Sequence, residues 1–328
     1  MSSVARVAID PSQFPENVRR DLLESLQARK INHKFHYDSV KQAQKWLAVH
    51  QAYAPSRADA DCAAIYDLSF SAAASQITSP SVHLIGLGCG GGQKDTRLLR
   101  QLQQAGKQIA YTPSDVSVPL VLTARTAALA VVTDENCHPL VCDLESAANL
   151  PVILDRQTDP AAARLITFFG MIPNFEPGLI LRRLTALLRP ADFLLFSANL
   201  APGPDYLAGI KQILPLYDNE PTRDWLMTFL LDLGVEKEDG ELRFIVEDNP
   251  AGGELKRIAA YFHFDRARRI QVDAELFKFQ PGESIRLFFS YRHTPAQVRK
   301  LLGGHGLKAI DQWIEKSGEE GVFLCQCA

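Results

Sequence analysis

The chain has 328 residues, 46% hydrophobic and 22% charged, with a formal net charge of -3. That length is about twice a common domain, so one large α/β unit or a core with a smaller second domain is expected, with ample apolar sequence to bury. The near-neutral balance argues against a nucleic-acid partner, and the charged opening stretch reads as neither a signal peptide nor a membrane span.

In chain order, Val18, Leu22, Leu23 and Leu26 share one helical face with Arg19, Arg20, Asp21 and Glu24 among them, which predicts an amphipathic helix. From Ser81 to Asn199 short apolar runs alternate with helical stretches, the pattern of stacked βαβ units on a parallel sheet. Strands are predicted at 82–87, 109–113, 139–142, 165–169 and 193–198, with helices at 96–104 and 178–188. Between about Ala201 and Tyr291 the pattern changes to one helical block, 225–233, followed by alternating segments at 254–265 and 269–277 that read as antiparallel strands with one wet face. A helix at 295–302, a strand at 307–314, a turn at 317–321 and a strand at 322–327 then supply a final strand pair for the antiparallel edge of the sheet. The expected division is a helical segment at 1–60 that joins the substrate domain, a cofactor-binding core at 61–200 and 292–328, and an inserted α+β subdomain at 201–291.

The six cysteines (Cys62, Cys89, Cys137, Cys142, Cys325 and Cys327) lack CxxC spacing, so free thiols in a reducing cytoplasm are expected. The eight histidines show no HExxH or paired-ligand spacing, and no metal is expected. The chemistry concentrates at Leu84-Ile85-Gly86-Leu87-Gly88-Cys89-Gly90-Gly91-Gly92-Gln93-Lys94, where an apolar strand turns into a helix. Glycines there let a ligand approach the backbone, and the helix N-terminus offers free N–H groups. Cys89 inside the turn reads as a small tolerated residue. The next strand end carries Asp115, placed to accept both ribose hydroxyls of an adenosine. The third carries Asp143, placed either to accept the adenine amino group or to cap a helix. A plain tight turn, or a helix cap at either acid, stays open, but two acids after successive strands together point to an adenosine-bearing cofactor. NAD stays open on this architecture, but counted from Gly88 and Gly90, Gln93 stands where a pyrophosphate loop keeps its third glycine, and Lys94-Asp95-Thr96 has the wrong spacing for a P-loop.

With these residues in view the sequence resembles the histidine-specific N-alpha-methyltransferases, the family that makes the trimethylated histidine of ergothioneine biosynthesis. Phe35-His36-Tyr37-Asp38 and Tyr53-Ala54-Pro55-Ser56-Arg57 resemble the family's Tyr-Asp and Tyr-Tyr-Pro-Thr-Arg segments. Gly88, Gly90, Lys94, Asp115-Val116-Ser117 and Cys142-Asp143 correspond to its cofactor site. Phe169-Gly170-Met171-Ile172-Pro173-Asn174-Phe175-Glu176-Pro177 resembles its Gly-Ser-Thr-Ile-Gly-Asn-Phe signature, the most specific match. Leu216-Tyr217-Asp218 resembles a Tyr-Asp-Asp, and Pro281-Gly282-Glu283-Ser284-Ile285 leads into Ser290-Tyr291-Arg292-His293-Thr294-Pro295 much as in the family.

The resemblance implies an α/β, Rossmann-like class I S-adenosylmethionine (SAM) methyltransferase core with a smaller α+β substrate-binding domain. It implies SAM as cofactor, bound through Gly88, Gly90, Lys94, Asp115 and Asp143, and an amino-acid-like substrate bound through Tyr37, Tyr53, Asn174, Tyr217, Phe288 and Ser290. No residue is assigned a covalent or acid–base role; Asn174 and Tyr37 are expected to position. Phe288-Phe289-Ser290 replaces a Glu-x-Ser in which the glutamate reads the imidazole, and Pro221-Thr222-Arg223-Asp224-Trp225 replaces an asparagine-rich segment. The expected substrate is therefore larger or less polar than histidine, with an indole amino acid an analogous case. A cytoplasmic monomer is expected, without nucleic-acid or membrane partners. Two alternatives stay open: a sensor or scaffold that binds SAM and ligand without turnover, and, further off, a nucleotide-dependent oxidoreductase.

Overall fold

The computed structural model describes residues 4–53 and 59–328. A short strand Ala8–Ile9 (β1) precedes helix Pro15–Ala28 (α1), a 3-10 turn His33–His36, and helices Val40–Tyr53 (α2) and Ala60–Gln76 (α3). The alternating core follows as Ser81–Leu87 (β2), Gln93–Gln104 (α4), Gln108–Asp115 (β3), Val118–Ala128 (α5), Leu140–Val141 (β4), Leu150–Gln157 (α6), Ala163–Phe168 (β5), Pro177–Leu187 (α7) and Phe193–Asn199 (β6). Then come Tyr206–Ile213 (α8), Glu220–Asp232 (α9), Gly240–Asp248 (β7), Lys256–Phe264 (β8), Arg268–Val272 (β9), Glu275–Phe279 (β10) and Ser284–Arg292 (β11). The chain closes with Pro295–Gly303 (α10), Leu307–Ile314 (β12) and Glu320–Cys327 (β13).

The large sheet has the order β1-β4-β3-β2-β5-β6-β13-β12. Neighbours from β1 to β6 pair in parallel, and β13 runs antiparallel between β6 and β12. Side-chain alternation explains why these strands read as continuous apolar runs: both faces are covered. Val82, Leu84, Leu165, Leu195 and Leu324 face the core under α3 and α4, whereas Ile85, Leu87, Ile166, Leu194 and Phe323 face the core under α6, α7 and α10. The α4–α5 contact needs a glycine. At Gly92 φ is +71°, and a Cβ there would lie 2.7 Å from the Ala124 Cα.

A second sheet, β11-β8-β7, is antiparallel throughout, and β9 and β10 form a separate hairpin. Leu26, Ile31, Phe35, Trp225, Phe229, Phe262, Phe264, Ile285 and Leu287 make one core that joins α1 and the 3-10 turn to α9 and this sheet. Several details differ from the sequence reading. The region 201–219 contains α8, whose pattern is masked by Pro202, Gly203, Pro204 and Pro215 and whose start is capped by Asp205 accepting from the Ala208 N–H at 2.8 Å. Strand β7 buries only Leu242 fully, too little apolar periodicity to register. The expected single segment at 269–277 is a hairpin turning at Asp273, whose φ is +51°. At the sheet edge only β13 of the final pair runs against the parallel strands.

Candidate active site

The glycine turn leaves the end of β2 with Gly88, Gly90 and Gly92 all at positive φ, and the Cys89 N–H donates to the Ser114 carbonyl at 2.9 Å, binding the turn to β3. Asp115 ends β3 beside it. Its Oδ2 accepts from the Gly90 N–H at 3.0 Å and its Oδ1 from the Ser117 N–H at 3.1 Å. Burial pushes its pKa up to about 6, and the backbone N–H donors offset only part of that rise. Each carboxylate oxygen keeps acceptor capacity beyond these bonds. Asp95, in the first turn of α4, accepts from the Tyr111 hydroxyl and the Thr167 hydroxyl, both at 2.8 Å, and burial raises its pKa to about 6 as well.

Asp143 follows β4. Its Oδ1 accepts from the Glu145 N–H at 3.0 Å, closing a local turn, while Oδ2 meets the Lys34 ammonium at 3.3 Å. Lys34 is buried and also pairs with Asp21. On the other side of the glycine turn, the Lys94 ammonium donates to the Tyr66 hydroxyl at 2.6 Å and to Glu320 at 3.2 Å. Burial disfavours the Glu320 carboxylate, yet the Lys94 charge and hydrogen bonds from Tyr66, Lys94 and Cys62 together hold its pKa below the usual range.

Facing these groups are residues of the second sheet and the N-terminal helices. Tyr37 packs its ring edge 5.6 Å from Trp46 and tilts 5.5 Å from Trp225; burial, then the Asp115 charge, pushes its phenol pKa upward. Phe288 lies 5.2 Å from His33, 6.0 Å from Tyr217 and 6.1 Å from Trp225, ring centre to ring centre. The hydroxyls of Ser290 and Tyr217 are 2.9 Å apart, and Arg292 Nη2 donates to the Tyr217 oxygen at 2.6 Å. His33 is held neutral, its pKa lowered by burial and then by the positive fields of His36, Arg286 and Arg257.

Together these walls enclose a cavity of about 310 Å³, within the size of a small-molecule site. Every residue expected from the sequence to bind cofactor or substrate lines it: Gly88, Gly90, Lys94, Asp115, Asp143 and Asn174 from the large sheet and its following turns, and Tyr37, Tyr53, Tyr217, Phe288 and Ser290 opposite. Tyr53 stands at the rim and is 36% exposed, and the rest of its motif, residues 54–57, lies outside the described residues. Sequence reasoning missed His33, Trp46, Asp95, Arg292 and Glu320, which line the same cavity. Arg292 was legible in principle, two residues beyond Ser290 on an alternating strand. Asp95 and Glu320 gave no local signal. Among the described residues no three His, Cys, Asp or Glu side chains are grouped to hold a metal, and no helix is long and apolar enough to cross a membrane.

Comparison with known proteins decides the family. Residues 18–209 and 251–327 match the model of the SAM-dependent, histidine-specific methyltransferases. The chain belongs to that family. It is a SAM-dependent N-methyltransferase with a Rossmann-like α/β fold. It is similar to the N-methyltransferase imqF of Aspergillus flavus, at 24% identity over 262 residues, 76% of this chain and 68% of that protein. Among solved structures, similarity extends to the magnesium protoporphyrin IX methyltransferase of Synechocystis PCC 6803, with a TM-score of 0.48 and 13% identity, covering 88% of this chain and 95% of that one. The 1,6-didemethyltoxoflavin-N1-methyltransferase of Burkholderia thailandensis gives a TM-score of 0.42 and 13% identity, covering 100% and 93%.

Proposed function

We propose that this methyltransferase acts on the amino nitrogen of an amino acid or a closely related small amine, and that histidine is not its substrate. One observation carries the reading: a single cavity of about 310 Å³ joins the glycine turn and Asp115 to Asn174, Tyr217, Phe288 and Ser290. In this reading Gly88, Gly90, Lys94, Asp115 and Asp143 hold SAM, and Tyr37, Tyr53, Asn174, Tyr217, Phe288 and Ser290 hold the substrate. The donor set suits the cofactor. Asp115 keeps free acceptor positions on a buried carboxylate, and Gly88, at φ +63°, would set a Cβ 2.5 Å from the Met171 methyl, so the glycine lets a ligand approach the turn closely.

SAM supplies a methyl group already activated on a sulfonium, so the protein has to position the amine and keep water away. Asn174, in the 3-10 turn Ile172–Asn174 after β5, brings an amide able to donate to a carboxylate and accept from an amine. Tyr37, shielded by Trp46 and Trp225, stays a neutral phenol beside Asp115. A glutamate that read an imidazole has no counterpart, because Phe288 sits among His33, Tyr217 and Trp225. The test is a mass-spectrometric screen of amino acids and simple amines with SAM, read in steps of one methyl. Methylation of an amine other than histidine supports the proposal; gain on histidine refutes the specificity claim, and silence across the screen refutes the substrate class.

A further inference from the structure

The alternation of β11 turns Phe288, Ser290 and Arg292 toward the cavity, and Phe289 and Tyr291 toward a separate apolar cluster. Arg292 is 5% exposed. Its Nη1 donates to the Leu200 carbonyl at 3.1 Å and the Glu319 carbonyl at 3.4 Å, its Nη2 donates to the Tyr217 hydroxyl at 2.6 Å, and its buried Nε has no partner among the described residues. All three acceptors are neutral. Among the described residues no carboxylate comes within ion-pair distance of this guanidinium, whereas Arg257 meets Glu247 at 2.7 Å and Arg164 meets Asp155 at 2.9 Å.

A cation held out of water without a counter-ion is unfavourable, and an incoming anion relieves that cost. Several acids on the same cavity wall are already engaged: Glu320 with Lys94, Asp143 with Lys34, Asp115 with two backbone N–H groups. Arg286, buried like Arg292, faces a neighbouring cavity whose walls carry Asp21, Glu24, Asp143, Glu145 and Glu176, so it does not share the site of Arg292. The Tyr217 ring spans the interval between anion and aromatic ends, its centre 5.2 Å from the Arg292 guanidinium carbon and 6.0 Å from the Phe288 ring.

We propose that Arg292, with the hydroxyls of Tyr217 and Ser290, anchors the substrate carboxylate while Phe288 and Trp225 wall in its side chain, which makes the substrate an aromatic α-amino acid. This rests on the amino-acid reading above and deepens it. Aromatic rings on that wall gain edge and offset contacts that an alkyl chain does not.

The test needs no turnover. Calorimetric titrations in saturating S-adenosylhomocysteine compare 3-(indol-3-yl)propionate, 3-phenylpropionate and hexanoate with their primary amides. Each aromatic carboxylate should bind about a hundredfold more tightly than its amide, and hexanoate more weakly than either aromatic acid. Arg292→Gln should abolish the acid-over-amide preference, and Arg292→Lys should keep part of it. Equal binding of acid and amide by the unaltered protein, no carboxylate binding up to millimolar concentration, or a preference that survives in Arg292→Gln each overturns the anchor. Hexanoate binding as tightly as the aromatic acids overturns the aromatic assignment. The comparison on the unaltered protein stands even if Arg292→Gln fails to fold. An intact carboxylate preference beside a silent methylation screen refutes only the amine-methylation reading, and the opposite pair refutes only the anchor.

Discussion

Asp115→Asn separates what this carboxylate does for the fold from what it does for the cofactor. Its pKa rises from 3.8 to about 6 on folding because burial disfavours the charged form. A carboxylate with a raised folded-state pKa favours folding below its unfolded pKa, and that contribution disappears as pH rises through the folded value. The shift of about 2 units corresponds to roughly 3 kcal/mol, about 2 of which fall between pH 4.5 and 8. Asparagine does not titrate. The stability difference between Asp115→Asn and the unaltered protein should therefore move by about 2 kcal/mol in favour of the variant from pH 4.5 to 8, whatever fixed penalty the lost Gly90 or Ser117 hydrogen bond adds. Chemical denaturation of both proteins across that range measures it. In the same variant, S-adenosylhomocysteine affinity at pH 8 should fall about tenfold to a hundredfold, the loss of a charge-assisted hydrogen-bond pair of roughly 1.5–3 kcal/mol. A pH-independent stability difference would refute the burial argument. Unchanged cofactor affinity would remove Asp115 from the proposed cofactor site.

Gly92→Ala should cost about 2–4 kcal/mol in denaturation, since a Cβ at φ +71° meets the Ala124 backbone at 2.7 Å. Gly106→Ala, at φ +74° with nothing within 4 Å, should cost only about 1–2 kcal/mol. Lys94→Met strands the buried Glu320 carboxylate and should destabilise by about 3 kcal/mol at neutral pH, with the loss shrinking as Glu320 takes up a proton in acid. Adding Glu320→Gln should recover most of it, and a double variant as unstable as the single one would contradict the pairing. Phe288→Glu should confer histidine methylation, detected by mass, at a stability cost of about 1–3 kcal/mol for a carboxylate among Tyr217, Trp225 and His33. Histidine turnover that stays absent would show that Phe288 does not set specificity.

Most of the large sheet was legible because β2, β5, β6 and β13 are apolar on both faces and bounded by turn residues, whereas the two-residue, exposed β1 gave no signal. The expected run at 82–87 and the observed Ser81–Leu87 differ by one residue. The helix after the turn starts earlier than its apolar pattern, at Gln93 rather than Thr96, since its first turn carries Lys94 and Asp95 instead of core residues. The same fact hid Asp95. Its partners, Tyr111 and Thr167, come from β3 and β5, and only the parallel register brings them together. Glu320 was hidden likewise, because Tyr66 and Lys94 lie more than two hundred residues before it. Local pattern reports what a residue's neighbours in sequence do, and these side chains are defined by neighbours in space.

Strand β11 shows a second way in which position escapes the sequence. Strict alternation would group Arg286 with Phe288, Ser290 and Arg292 on one face and give the cavity two arginines. The register with β8 slips between Arg286 and Phe288, however, so Arg286 pairs with Tyr261 while Phe288 pairs with Ala260. Past that irregularity Arg286 stacks over Phe289, 4.8 Å from its ring centre, and lines the neighbouring acidic cavity instead. Two buried guanidiniums on one wall would repel each other and ask for two anions. One extra residue in the strand leaves Arg292 the one guanidinium lining the cavity among the described residues, in keeping with the single substrate carboxylate proposed for it.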